Sequence, residues 1–311
     1  NVWLGMNNLA AAAQIALVGF GFIILLLVLE LYARSRQQYV ATSRAQTPLA
    51  PLMPRRLGVV ACWVVCITPL VFGFFIPVGV LIGLVASSNP LADFMQIRGI
   101  IGNTLLVACL AAVSIMLISA FIVLTATFRS GPKIRKLALL ASTGYAFPGT
   151  ILAIGVLGFT GYLDRFISGI LGPEAQGVFI ASIGVLFLAY LVRFQAVGYG
   201  AMISGVRRLP ANVMNASRVL GKGYLASLRT VILPLLQSSF LAGIMLVFVD
   251  VMKELPMTLL LRPFNFDTLA TYTYQFAKDE MIEIAALPAL MIVASGLVPV
   301  MLMSAMLRRY R

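Results

Sequence analysis

The sequence predicts an all-α polytopic membrane protein with about seven transmembrane helices. Three observations carry this. Hydrophobic residues make up 61% of the chain, charged residues only 11%, and mean hydropathy is +1.00. Soluble domains hold nearer half apolar and a quarter charged residues. Apolar runs of bilayer-spanning length, about 20 residues, recur along the chain. The basic residues crowd into alternate loops between those runs.

The runs are justified in order by their hydrophobic length and the charges or prolines that bound them. The first predicts a helix over 9–31, followed by Arg34 and Arg36. The second, 57–86, follows Arg55 and Arg56 and contains Pro69 and Pro77. The third, 100–127, lies between Arg98 and Arg129. The fourth, 134–160, crosses Pro148, and the fifth, 176–202, carries Arg193. The sixth, 235–258, opens after Pro234 and carries Asp250, Lys253 and Glu254. The seventh, 284–307, contains Pro288 and Pro299 and runs into Arg308 and Arg309. Prolines 69, 77, 148, 288 and 299 are candidate kinks, tolerated in a membrane where neighbours satisfy the freed backbone.

Net charge is +13. One set of loops and the C-terminus hold Arg34, Arg36, Arg44, Arg55, Arg56, Arg129, Lys133, Arg135, Lys136, Arg207, Arg208, Arg218, Lys222, Arg229, Arg308, Arg309 and Arg311. The opposite loops hold Arg98, Arg165, Arg262 and Lys278, with Asp93, Asp164, Glu174, Asp267, Asp279, Glu280 and Glu283. Positive residues stay inside, so the C-terminus is expected in the cytoplasm and, after seven crossings, the N-terminus in the periplasm. The positive charge thus follows topology, and no nucleic-acid partner is expected. Cys62, Cys66 and Cys109 lie in apolar helices and read as buried hydrophobes. Histidine is absent, which removes the commonest nitrogen metal ligand.

The chain starts at Asn1 with no basic stretch before its first apolar run, which reads as an incomplete start. Ala12-Ala13-Gln14-Ile15-Ala16-Leu17 echoes Ala285-Ala286-Leu287-Pro288-Ala289-Leu290, and both runs end in basic residues. Residues 1–36 are therefore expected to close an earlier repeat. Residues 37–56, rich in Pro, Gln, Ser, Thr and Arg, form a cytoplasmic linker, and 57–311 form one six-helix unit. A connector is the expected role of that linker, although its prolines could also seat a partner.

Between the fifth and sixth runs lies a polar, basic segment, 207–234. Its spacing is Asn215-Ala216-Ser217-x₃-Gly221-x₉-Val231-x-Leu233-Pro234. A helix over 211–220, a turn at Gly221 and Gly223, and a second helix over 224–232 would make a compact knob able to transmit a push. The segment resembles the EAA loop of ABC-transporter permeases, whose pattern is Glu-Ala-Ala, three residues, Gly, nine residues, Ile-x-Leu-Pro. Asn215 and Ser217 stand where that family has Glu and Ala, and Val231 where it has Ile. The resemblance implies that this loop docks on a cytoplasmic ATP-binding subunit dimer, which holds ATP and Mg. It also implies that residues 57–311 form one type I importer permease repeat. A cofactor of the chain's own is not expected.

Asp250, Lys253 and Glu254 are costly in a membrane helix. Their i, i+3 and i, i+4 spacings place all three on one helical face. Two readings stand: a gate or translocation path, or a charge cluster that pins packing or reaches the outer interface. Arg193, placed near the inner end of its helix, reads either as a snorkelling side chain or as part of the path. The stretches Lys253-Glu254-Leu255-Pro256, Leu259–Ala270, Tyr145–Ala153 and Leu191-Val192-Arg193-Phe194 are similar to permeases of ferric-iron ABC importers. This second resemblance implies a bacterial inner-membrane location, Fe(III) as substrate and a periplasmic iron-binding protein as donor. It also implies an N-terminal permease half or a second permease copy as companion in the lipid bilayer. Related permeases carry phosphonate, thiamine or polyamines.

Oxygen ligands suit Fe(III), and the outer loop offers Asp267, Tyr272, Tyr274, Asp279 and Glu280. These read as solvated loop residues, with Asp267 and Glu280 as transient contacts and no resident metal site. The chain has no Gly-x₄-Gly-Lys-[Ser/Thr] loop for ATP and no nucleophile constellation, so no catalytic residue is assigned. An ion-coupled secondary transporter is the alternative class, disfavoured by the scarcity of intramembrane carboxylates beyond Asp250 and Glu254.

Overall fold

The structure, a computed structural model, describes residues 9–35, 56–88, 90–128, 134, 138, 143–172, 177, 182–210 and 212–309. Those residues are mostly helical, with no strand among them. The helices are α1 (Leu9–Ser35), α2 (Arg56–Ser87), α3 (Pro90–Phe128), α4 (Gly149–Leu171) and α5 (Ile183–Val206). They continue with α6 (Val213–Val219), α7 (Tyr224–Met252), α8 (Pro256–Leu261), α9 (Leu269–Lys278) and α10 (Ile282–Arg309). Six of them, α2, α3, α4, α5, α7 and α10, contain apolar stretches long enough to cross a bilayer. In α1 the corresponding described stretch is Leu17–Leu26. Most of the linker 37–56, the basic cluster at 129, 133, 135 and 136, and Glu174 lie outside the described residues.

Proline chemistry explains where the helices deform. A proline removes one N–H and its ring crowds the carbonyl four residues back. Before Pro77 and again before Pro234 the helix widens into one π-helical turn, Val71–Phe75 and Leu228–Ile232. In each, an i→i−5 bond (Ile76 N–H to Val71, Leu233 N–H to Leu228) stands just ahead of the proline. At Pro256 the carbonyl four back is Met252, and there α7 ends. The predicted helix 235–258 is corrected accordingly: it starts earlier, at Tyr224, and stops six residues sooner.

Two further corrections follow. The helix predicted over 134–160 is interrupted: Ile134 and Ala138 are helical, but Gly144–Ala146 is a 3-10 turn, Phe147 is extended as a residue before proline prefers, and α4 starts at Gly149 with Pro148 as its N-cap. It then runs to Leu171, so Asp164 and Arg165, expected in an outer loop, belong to α4, and Asp164 is buried. The third helix begins at Pro90 and so includes Asp93 and Arg98. The helix predicted over 176–202 is observed as Ile183–Val206.

The core is a three-helix contact of α3, α5 and α7. Small residues let these backbones approach, as membrane interfaces require. Gly198 leaves no room for a Cβ beside Ser119, Gly205 none beside Ser239, and Gly243 none beside Met116. Ala108, Ala111, Ala112, Ile115 and Met116 form the buried stripe of α3. Gln195 Nε2 donates to Ser119 Oγ at 2.9 Å across the α5–α3 contact. Around this core α9 packs against α10, α10 against α2, and α8 against α4.

Candidate docking and gating sites

The 207–234 segment folds as the helix–turn–helix expected, with α6 as one limb and the start of α7 as the other. Gly221 has φ +81°, its N–H bonds Arg218 O, and the Lys222 N–H bonds Ser217 O. This pair of bonds is a Schellman close, and it requires a residue that tolerates left-handed backbone. Ser217 is buried and donates to Ser227 Oγ at 2.8 Å, which joins the two limbs. That contact accounts for a hydroxyl where the family pattern has Ala. Lys222 Nζ adds a 2.7 Å bond to Thr230. Asn215 and Ala216 are exposed, Val231 is half-buried, and Leu233 and Pro234 face outward where α7 enters the bundle.

The tip of this hairpin is apolar. Val219 is 87% exposed, Leu220 79% and Leu225 71%, flanked by exposed Arg218, Lys222 and Arg229. A cleft of about 560 Å³ beside it is lined by Phe128, Arg218, Gly223, Tyr224, Leu225 and Ala226. The second limb continues without a break into α7, so the hairpin and the membrane helix form one rod.

The other end of that rod reaches the charged residues. Gly205 and Ser239 are level where α5 and α7 cross, and twelve residues further along each helix stand Arg193 and Val251. Asp250 and Lys253 pair at 2.9 Å, but the helix has ended and Glu254 turns away to face Arg193 of α5 at 3.8 Å. The expectation that all three charges share one helical face is therefore corrected, because the proline-induced end of α7 redirects Glu254.

Arg193 is likewise not near the inner end of its helix. It stands ten residues in from Ile183, about 15 Å along a helix of about 36 Å. Its side chain is 17% exposed, so snorkelling does not describe it. Its Nε and Nη1 are buried without a hydrogen-bond partner, and its guanidinium lies 5.9 Å from the Tyr145 ring centroid and 5.8 Å from that of Phe194.

Three separated sequence motifs meet here. Residues 144–149 press on α5 so closely that a Cβ on Gly144 would strike Val192 O, and one on Gly149 would strike Arg193 Nη1. Glu254 Oε1 accepts the Met257 N–H at 3.0 Å and so secures the start of α8. Thr258 donates to Glu254 O at 2.8 Å and shares a 2.5 Å bond with Tyr190 OH. Tyr190, Thr258 and Gly144 were not singled out from sequence, and Gly149 entered only as part of the stretch Tyr145–Ala153; the Gly144-x₃-Pro148-Gly149 spacing was the available signal.

Asp267 is paired with Arg262 and accepts from Thr271 at 3.0 Å, and Glu280 lies exposed beyond the other end of α9. The ten-residue α9, about 15 Å long, separates them, so they do not converge on one ion. Among the described residues no three His, Cys, Asp or Glu side chains gather as a metal site.

This fold is shared with chains of solved bacterial ABC transporters. It matches a bacterial ABC transporter involved in import of the acidic polysaccharide alginate, with TM-score 0.62 and 15% identity over 81% of this chain and 96% of that one. It also matches the bacterial alginate ABC transporter in complex with an alginate pentasaccharide-bound periplasmic protein, with TM-score 0.65 and 15% identity over 82% and 94%. In sequence the chain is similar to an Fe(3+)-transport system permease protein, FbpB 2, of Haemophilus influenzae, at 23% identity over 96% of this chain. The chain spans 58% of that relative's length. No protein-family profile matches it.

Proposed function

We propose that the chain is the permease unit of an ATP-driven importer that carries Fe(III) across the bacterial inner membrane by alternating access. The observation that carries this reading is the rod itself. An exposed apolar tip with basic flanks, the surface a protein partner would grip, is continuous with the helix that ends at the Arg193–Glu254 contact. Closure of an ATPase dimer around Val219, Leu220 and Leu225 would push α7 and move the break at Lys253–Leu255. The reading places the hairpin and C-terminus in the cytoplasm and the N-terminus in the periplasm, as the charge distribution favours. ATP and Mg belong to the partner subunits.

The substrate is that of the Haemophilus influenzae relative, and a periplasmic iron-binding protein is the matching donor. Residues 57–311 form one six-helix permease unit, with α1 closing a preceding one, which leaves a companion unit to complete the path. Asp250, Lys253, Glu254 and Arg193 are assigned to the path or its gate, and Asp267 and Glu280 to passing contacts.

The test is ATP-dependent uptake of radiolabelled Fe(III) by iron-starved cells carrying the full-length gene, beside a Gly221→Asp strain. A side chain in left-handed backbone costs on the order of 1–3 kcal/mol. Docking, and uptake with it, is therefore expected to fall by about tenfold, with the protein still in the membrane. Iron uptake absent from both strains, with the ATPase complex assembled, would overturn iron and leave phosphonate, thiamine or a polyamine. Uptake that ignores ATP and collapses with the proton gradient would replace the importer with a secondary transporter.

A further inference from the structure

Among the described residues the main packing partner of α1 is α4, rather than α2, the next helix in the chain. One ring carries that contact. Of the α1 residues whose burial is described, Phe20 alone is not exposed. Its ring stacks on Phe147, with centroids 4.9 Å apart and planes inclined by 20°, a geometry that aromatic pairs favour. Phe20 lies eleven residues into a 27-residue helix and Arg193 ten residues into one of 24. Both the stack and the buried guanidinium therefore sit near the middle of their helices.

Phe147 has little freedom to turn aside. Pro148 confines it to extended backbone, at φ −82° and ψ 130°, and its N–H bonds Gly144 O at 3.4 Å. The same turn meets α5 at three points. Gly144 seats on Val192 O, the Tyr145 ring lies 5.9 Å from the Arg193 guanidinium, and Gly149 abuts Arg193 Nη1. Two helices thus hold the turn, α5 at those points and α1 at Phe147. A shift of α1 that carries the Phe147 ring moves Tyr145, two residues away. It thereby changes the space around a guanidinium that has no hydrogen bond at Nε or Nη1 to fix it.

We propose that the Phe20–Phe147 stack is the joint through which the preceding permease unit holds the gate, with Phe20 a positioning residue for Arg193. The inference rests on the permease reading above, in which α1 closes that unit. On that reading α1 and α4 belong to different bodies, and alternating access moves such bodies about their contact. The stack is made while Glu254 faces Arg193 at 3.8 Å. Movement of the units breaks it, releases the turn and takes the Tyr145 ring off the guanidinium. Such coupling is reciprocal, so locking the stack holds the gate, and with it the cycle of the ATPase.

The test uses the full-length transporter with its ATPase in proteoliposomes, all native cysteines replaced by serine, carrying Phe20→Cys with Phe147→Cys. A short bis-methanethiosulfonate bridges the two thiols, dithiothreitol releases them, and a protease site placed in the 37–56 linker reveals the bridge on a gel. Bridging is expected for this pair and not for Leu29→Cys with Phe147→Cys, nine residues or about 14 Å further along α1. The bridge is expected to lower ATP hydrolysis by about tenfold, the scale of a typical coupling between sites, and dithiothreitol to restore it. In a second measurement Phe20→Ala is expected to raise the ATP consumed per Fe(III) imported by about tenfold at an unchanged thermal midpoint. Phe20→Tyr, which keeps the stack, is expected to behave as the native protein. No bridge between positions 20 and 147, or undiminished hydrolysis in the bridged protein, would overturn the joint. A Phe20→Ala protein whose uptake and thermal midpoint fall together would overturn it too, because that is plain packing. If the native protein imports no iron, the substrate reading falls and the bridge alone decides the joint. If native uptake ignores ATP, the importer reading falls and takes the joint with it.

Discussion

Glu254→Ala is expected to destabilise the assembled transporter by about 3 kcal/mol, because removing one partner of a buried ion pair strands the other. Two groups lose their partner at once. Arg193, already without hydrogen bonds at Nε and Nη1, loses its facing carboxylate, and the Met257 N–H loses the oxygen that secures α8. The figure sits at the low end of the range for buried pairs because the 3.8 Å contact is loose and Arg193 is 17% exposed. Glu254→Gln keeps an acceptor for Met257 and is expected to cost less. The measurement is the thermal unfolding midpoint of the purified complex in detergent.

The same contact separates gating from packing. If Arg193 and Glu254 are coupled, the double variant Arg193→Met with Glu254→Gln will be more stable than the sum of its single changes allows. Additive effects would mean that the two charges stand side by side without interaction. Given coupling, Fe(III) uptake is the second readout. A packing pin predicts that the double variant regains uptake along with stability. A gate predicts that stability returns and uptake does not.

Local chemistry was legible in the sequence, and long-range pairing was not. The 207–234 hairpin could be read as a fold because its determinants lie within a few residues of one another: a glycine that tolerates positive φ, and a proline where the chain re-enters the bundle. Even the departure at Ser217 had its answer ten residues away, in Ser227. By contrast, the partner of Arg193 lies 61 residues on, and hydropathy carries no information about which carboxylate a buried guanidinium will face. Hydropathy also treats 134–160 as one run because Pro148 interrupts its backbone without lowering its apolar character. The same blindness extended α7 past Met252 and put three charges on a face that the chain does not have. Asp164 was misplaced for a related reason: a charge near the end of an apolar run was assumed to mark a loop.

Gly144→Ala is the other change expected to have a large effect, and its neighbour along the motif explains why. A Cβ at position 144 would press on Val192 O and C and approach Arg193 Cα at 3.5 Å, all backbone atoms of α5. A hydrogen-bonded helix cannot yield there, so the turn 144–146 must lift away and take the Tyr145 ring off the guanidinium. Overpacking of this kind costs about 1–3 kcal/mol, and the upper end is expected where backbone meets backbone. At Gly149 the added methyl would meet Arg193 Nη1 instead, with Glu254 Oε1 at 3.1 Å. A guanidinium can swing aside more readily than backbone, so Gly149→Ala should lower the thermal midpoint less than Gly144→Ala and change uptake. Gly155→Ala in the same helix meets nothing within 4 Å. It is expected to be neutral or slightly stabilising, since alanine is favoured over glycine in a helix by about 1 kcal/mol. The ordering of thermal midpoints, with Gly144→Ala lowest and Gly155→Ala highest, is the check. A Gly144→Ala protein as stable as Gly155→Ala would mean that the 144–149 turn does not seat on α5, and the convergence of the three motifs at Arg193 would go with it.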